Sequence, residues 1–159
     1  MPTLQASYDT CLFHAASALA RSLTRLADEH FKPLEITSTM GFLLMTATEA
    51  PGILISDLAL VHHLDVSTIS RALDKLEAGE FVKREGTHKN IRVFITPAGA
   101  RKEADARSAW NKLRQAYGLI LTTPGALDLA ARAAEADTQL RSAAALARKR
   151  STVAPKPHA

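Results

Sequence analysis

A mainly α-helical chain with one small β-hairpin is what this sequence predicts, on three observations. Apolar residues recur every three or four positions along much of the chain, most plainly in 8–30, where Leu12, Ala15/Ala16, Leu19, Leu23 and Leu26 mark one helix face. A period-two signal occurs once, at "FVKRE" and "IRVFI", separated by "GTHKN", whose Gly86 and Asn90 are turn residues. Hydrophobic residues make up 47% of the 159, charged residues 23% and aromatics 5%, an alanine-rich globular composition rather than a disordered one.

The elements follow in order. The helix over 8–30 is expected to end at "FKPLE", because Pro33 disfavours helix at Lys32. A second helix runs through "TSTMGFLLMTATEA", with Thr37 or Ser38 as N-cap, and "PG" at 51–52 breaks the chain. "ISDLALVHHL" reads as a short helix capped by Ser56, with Leu58, Ala59 and Val61 turned inward. "LDV" is a tight turn, Asp65 caps the helix 66–78, and Gly79 in "AGE" stops it. After the hairpin, Thr96 caps a long helix with Pro97 at its first position, the favoured place for proline. That helix reaches about 121, "TTPG" breaks it, and a last long helix precedes "STVAPKPHA".

This order is a helix-turn-helix followed by a β-hairpin, a winged helix, flanked by long N- and C-terminal dimerisation helices. The expected divisions are 8–50 for the N-terminal dimerisation helix and connecting helix, and 53–97 for the winged lobe. Residues 98–150 make the C-terminal dimerisation helices and 151–159 a disordered tail. The long helices carry apolar stripes that so small a core cannot cover, so a second copy of the chain is their expected partner.

Charge is uneven along the chain. Residues 1–50 hold three Lys/Arg against five Asp/Glu, 51–102 eight against six, and 103–159 nine against five. Within 83–92 stand four bases, Lys83, Arg84, Lys89 and Arg92, and one acid, Glu85. A basic cluster beside a polar helix face is the footprint of a nucleic-acid binder. That face lies in "STISRALDKLE" (67–77): Ile69, Leu73 and Leu76 seat the helix, whereas Ser67, Thr68, Ser70 and Arg71 are small, polar and singly cationic.

The stretch "DLALVHHLDVSTISRALDKLEAGEFVKRE…IRVFITPAGARK" resembles the DNA-binding lobe of the MarR family of bacterial transcriptional regulators, and "ALARSLTRLADEHFKPLEIT" resembles that family's first helix. The resemblance spans roughly residues 10 to 120. It implies a cytoplasmic, nucleoid-associated homodimer on a palindromic double-stranded operator, with recognition helix 66–78 in the major groove and wing 83–93 at the minor groove. Repression is the usual role in that family. Ser67, Thr68, Ser70 and Arg71 would then face the groove, Arg71 with the fork that bonds guanine O6/N7, and Lys75 would meet phosphate. Lys83, Arg84, His88, Lys89 and Arg92 supply the wing. Where the family carries an Asp and then arginines near the hairpin tip, this chain has Thr87, His88 and Lys89, so its minor-groove reading is differently organised.

The resemblance also implies a switch. A small phenolic or anionic effector is expected between the dimer helices and the lobe, with His14, Arg21, Met40, Phe42, Met45 and His62 as candidate lining residues. The alternative is a thiol switch at Cys11, the sole cysteine, which also rules out an internal disulfide. Against it, the sensor position of the family's peroxide-sensing branch falls on Phe13. Cys11 is two residues earlier, about 200° away around a helix. A small apolar role, buried or interfacial, suits Cys11 better. A winged helix used for protein contacts is a further alternative. No enzyme is expected: the six histidines form no HExxH-like arrangement, and no glycine-rich phosphate loop or nucleophile elbow occurs. No cofactor, metal site, signal peptide or membrane span is expected either.

Overall fold

The computed structural model describes Tyr8, residues 11–87 and residues 90–153. It is mainly helical: α1 (Leu12–Phe31), a 3-10 turn (Lys32–Leu34), α2 (Ser38–Glu49), β1 (Ile53–Leu54), α3 (Ile55–Val61), α4 (Val66–Ala78), β2 (Val82–Glu85), β3 (Arg92–Ile95), α5 (Pro97–Leu121) and α6 (Thr123–Val153). Two compact units divide between Leu113 and Arg114.

The first unit holds the winged helix. Helix α1 ends at Phe31, but not for the reason expected. Lys32 keeps helical backbone (φ −53°, ψ −42°) and the chain tightens into a 3-10 turn with Pro33 near its start, where proline costs no hydrogen bond. The stop comes at Glu35, which is left-handed (φ 57°). Thr37 then caps α2, its hydroxyl accepting from Met40 N at 3.3 Å. The Asp28 carboxylate of α1 accepts from Ser38 N (3.1 Å) and Ser38 Oγ (2.8 Å), tying the two helices together at the turn.

Several local expectations about the helix-turn-helix are corrected. Ser56 does not cap α3: the N-cap is Leu54, which belongs to β1, and Ser56 sits inside the first turn. Val61 is 55% exposed, and Ile55 takes the buried place with Leu58 and Ala59. The helix ends at Val61, so His62 and His63 lie beyond it, His63 with φ 53°. Asp65 holds the N-cap position of α4 in extended conformation, and its carbonyl rather than its carboxylate receives Thr68 N at 2.9 Å. Gly79 does end α4, but with φ −85°; Glu80 takes the left-handed place instead (φ 57°). What position 79 requires is space, since a Cβ there would lie 2.7 Å from the Phe81 ring.

The hairpin is as expected, with β2 and β3 antiparallel and Val82↔Ile95 and Glu85↔Arg92 in register. A third strand, β1, pairs with β3 through Ile53↔Val93, giving the order β1-β3-β2. Two residues are too few to show alternation, so no sequence signal marks it. Thr96 caps α5, accepting from Gly99 N at 3.0 Å and donating to Glu80 O at 2.7 Å. The core joins Phe31, Leu43, Leu44, Leu58, Ile69, Leu73, Leu76, Val93 and Leu113, all essentially inaccessible. Each such side chain contributes about 1.5–3 kcal/mol, which is what seats α4 firmly enough to present its outer face.

In the second unit, Thr122 (φ 60°) breaks the helix and its hydroxyl accepts from Gly125 N at 3.2 Å. Along α6, Arg132–Asp128 (2.8 Å) and Arg141–Asp137 (2.7 Å) pair at i,i+4. The helix continues to Val153, so it includes the start of the stretch 151–159 expected as a disordered tail; 154–159 lie outside the described residues. Among the described residues, no helix is long and apolar enough to cross a membrane, and no group of His, Cys, Asp and Glu is arranged to hold a metal ion.

Candidate nucleic-acid interface

The outward geometry of α4 follows from its buried side. With about 100° between successive residues, burial of Ile69, Leu73 and Leu76 turns Ser67 and Arg71 directly outward. Thr68 and Lys75 then lie along one flank and Ser70, Asp74 and Glu77 along the other. The first flank faces the start of α2, where Thr37, Thr39 and Met40 join Thr68, Arg71, Ala72 and Lys75 around a recess of about 180 Å³. The second flank faces β2. Ser67, Thr68, Arg71 and Lys75 are exposed and Ser70 is half-buried.

Most of the cations of the lobe are not free. Lys83 pairs with Glu85 at 2.6 Å and lies 5.4 Å from the Phe94 ring centroid. Arg92 donates to Gly52 O at 2.8 Å, joining β3 to the turn before β1. Arg84 is held by two carboxylates of α4. Its Nε donates to Glu77 Oε2 (2.9 Å), a terminal nitrogen also meets Glu77, and that nitrogen lies 2.8 Å from Asp74 Oδ1. Its backbone N–H donates to Glu77 Oε1 at 3.1 Å. The hydrogen bond from Arg84 holds the Glu77 carboxyl below its ordinary pKa, and the same bond raises that of Arg84. Of the described cations between Val66 and Ile95, Arg71 and Lys75 are thus the two without a protein partner. His88 and Lys89 lie outside the described residues; Thr87 and Asn90 on either side are exposed, with Asn90 N donating to Thr87 O at 3.1 Å.

Among the described residues, the six expected to line an effector site fall in different surroundings. His14 and Arg21 are exposed on α1, His14 beside the Tyr8 ring (centroids 5.6 Å apart). Met45 is core, and Phe42 packs against Phe31 with centroids 5.9 Å apart. His62 meets Thr46 Oγ1 at 3.0 Å; that hydroxyl donates to Phe42 O (3.0 Å), so the imidazole Nε2–H is the donor. Burial, and then the neighbouring His63, lower the His62 pKa. Of the six, only Met40 lines a cavity of about 730 Å³ between the end of α1, the connection 34–37, the end of α4 and the start of α5. Arg25, Lys32, Lys75 and Lys102 bring cations to it, and Leu34, Ile36, Met40 and Phe81 an apolar surface. Lys102 donates to Leu34 O (3.2 Å) and lies 5.2 Å from the Phe81 ring centroid. Sequence reasoning missed this cavity and the Asp74–Glu77–Arg84 cluster. For the cluster a signal existed: two acids three residues apart on the helix flank, followed by a lone arginine on the next strand. Cys11 is exposed at the N-cap of α1, not buried within the helix.

Comparison with known proteins agrees with this architecture. Residues 36–94 match the family model described as the MarR family. A MarR mutant from E. coli complexed with operator DNA superposes with a TM-score of 0.69 at 23% identity, over 80% of this chain and 94% of that one. The S. aureus MepR–DNA complex gives 0.69 at 16%, over 83% and 99%. CouR from Rhodococcus jostii RHA1, bound to p-coumaroyl-CoA, gives 0.60 at 23%, over 69% and 78%. At such identities the likeness establishes the fold. No curated protein sequence matches the chain.

Proposed function

We propose that this chain, whose residues 36–94 match the MarR family model, is a homodimeric transcriptional regulator that reads a palindromic operator in double-stranded DNA and acts as a repressor. The observation that carries the reading is the outer face of α4. Ser67 and Thr68 are short enough to let the backbone approach a groove floor, and Arg71 and Lys75 stand beside them without protein partners. Arg71 bonds a guanine edge and Lys75 a phosphate. Ser70, half-buried, adds at most a phosphate bond. The wing, residues 83–93, lies at the flanking minor groove, with Lys83 nearest to a phosphate role.

The dimer reading is supported by apolar residues left uncovered on the long helices: Leu12 (72% exposed) and Phe13 (81%) on α1, and Leu119, Ile120, Leu127 and Leu140 on α5 and α6. Adjacent exposed pairs such as Leu12–Phe13 and Leu119–Ile120 suit burial against a second copy of the chain. An effector is read into the 730 Å³ cavity rather than among the six residues first expected. Cations beside an apolar floor suit an aromatic carboxylate or a larger anionic conjugate. Lys75 and Gly79 place that cavity against the end of the recognition helix, so a ligand there acts on α4. The test is retention of DNA fragments by the purified dimer, with and without phenolic acids. Selective retention of a two-fold symmetric sequence, released by one of those acids, is expected. No retention at low salt defeats the regulator reading, and retention untouched by any anionic aromatic defeats the effector reading.

A further inference from the structure

Asp74 and Glu77 pose a difficulty for a helix face that meets DNA. Both lie on the flank of α4 that turns toward β2, next to the outward Ser67–Arg71 row, and two carboxylates there oppose a phosphate-lined groove. Arg84 meets both. It takes Glu77 with its Nε and a terminal nitrogen, and reaches Asp74 with the latter at 2.8 Å. Its backbone N–H is also held, by Glu77 Oε1 at 3.1 Å. This last contact has a second consequence. β2 is the edge strand of the order β1-β3-β2, with β3 on one side only, so Glu77 occupies a donor that the open edge would otherwise present. One glutamate thus grips β2 by main chain and side chain at the same residue.

We propose that Arg84 is a positioning residue for DNA reading: it masks the charge of Asp74 and Glu77 and pins the wing to the recognition helix, so that α4 and the hairpin enter adjacent grooves as one rigid piece. The inference rests on the DNA-reading role of α4. It reassigns Arg84, which its place in a basic cluster would make a phosphate contact. Its guanidinium is turned to α4 and bound on both sides, an arrangement for which the planar fork of arginine is suited and lysine is not.

The experiment compares wild type, Arg84→Met, Arg84→Lys and the triple variant Asp74→Asn/Glu77→Gln/Arg84→Met. Each is first checked for native circular dichroism and dimer mass. Operator affinity and hydroxyl-radical protection are then measured on the selected operator. Arg84→Met is expected to lose at least about tenfold in affinity, from two unmasked acids facing phosphates, and to lose protection at the flanks before the centre. Arg84→Lys is expected to fall between, keeping charge without the two-sided grip. The triple variant, whose acids are gone, is expected to regain most of the affinity but not the flanking protection. Affinity of Arg84→Met within about twofold of wild type, a change smaller than the loss of one charged contact, overturns the proposal. So does a triple variant as weak as Arg84→Met, because Arg84 would then be touching phosphate itself. A wild type that retains no DNA instead removes the reading beneath the proposal, an outcome separate from either.

Discussion

At the level of single residues, the divide is between side chains the fold has used and side chains it has left free. Arg71 is exposed and makes no hydrogen bond or ion pair with the described residues. Arg71→Ala is therefore expected to leave thermal stability unchanged while lowering specific over random DNA affinity by about 1–3 kcal/mol. Titrating both DNAs against the variant checks this; equal losses on the two would make Arg71 a phosphate contact. His62 is the opposite case, a half-buried imidazole donating to Thr46. Its pKa is lowered by burial, so the unfolded chain takes up a proton at a higher pH than the folded one. Its contribution to stability is complete above the ordinary histidine value, about 6.5, and is lost as pH falls from there toward the lowered folded value. The unfolding midpoint should drop through that window in wild type and drop less in His62→Gln, which keeps a donor for Thr46. Parallel profiles would show that His62 does not carry the dependence.

At the level of elements, the recognition unit depends on how closely β2 and α5 are held to α4. A Cβ at Gly99 would lie 1.8 Å from Phe81 O, a backbone atom that cannot swing away. Gly99→Ala is expected to cost at least about 1–3 kcal/mol by overpacking, read as a lower urea midpoint; an unchanged midpoint would mean that the junction of α5 and β2 is loose. The Arg84 link has an acid limit. Because bonding to Arg84 lowers the folded Glu77 pKa, its contribution is present above the ordinary carboxylate value, about 4.3, and is lost as pH falls through the lowered one. The stability gap between wild type and Arg84→Met should thus be open at neutral pH and close in acid. Much at this level was legible in the chain: α2 from the Thr37 cap, α4 from its three buried positions, the hairpin from period two, and α5 from Thr96–Pro97. The pairing of Arg84 with Asp74 and Glu77 was only half legible: two acids three residues apart mark the acceptors, but a run such as "FVKRE" does not show which of its charges turns back onto a helix. The cavity was not legible, because its lining is drawn from positions between Arg25 and Lys102. Ser56 misled because hydroxyl residues suit caps generally, while Leu54, two residues earlier and fixed by strand pairing, already holds the N-cap position.

At the level of the whole molecule, two copies are needed for two recognition helices to address one operator. Leu119 and Ile120 are 88% and 66% exposed, and Leu119→Glu/Ile120→Glu is expected to shift sedimentation from dimer toward monomer. Operator binding should fall with it, while weak random-DNA binding persists. An intact dimer in this variant would place the interface elsewhere. The central claim, that the α4 face reads DNA, is tested most directly by the salt dependence of binding to the selected operator and to random DNA. The logarithm of the affinity is expected to fall linearly with the logarithm of salt concentration, by about 0.9 for each phosphate neutralised, with Lys75→Ala shallower by about one contact. The operator should remain the tighter ligand throughout. A flat response, or equal affinity for the two DNAs at every salt concentration, would contradict it.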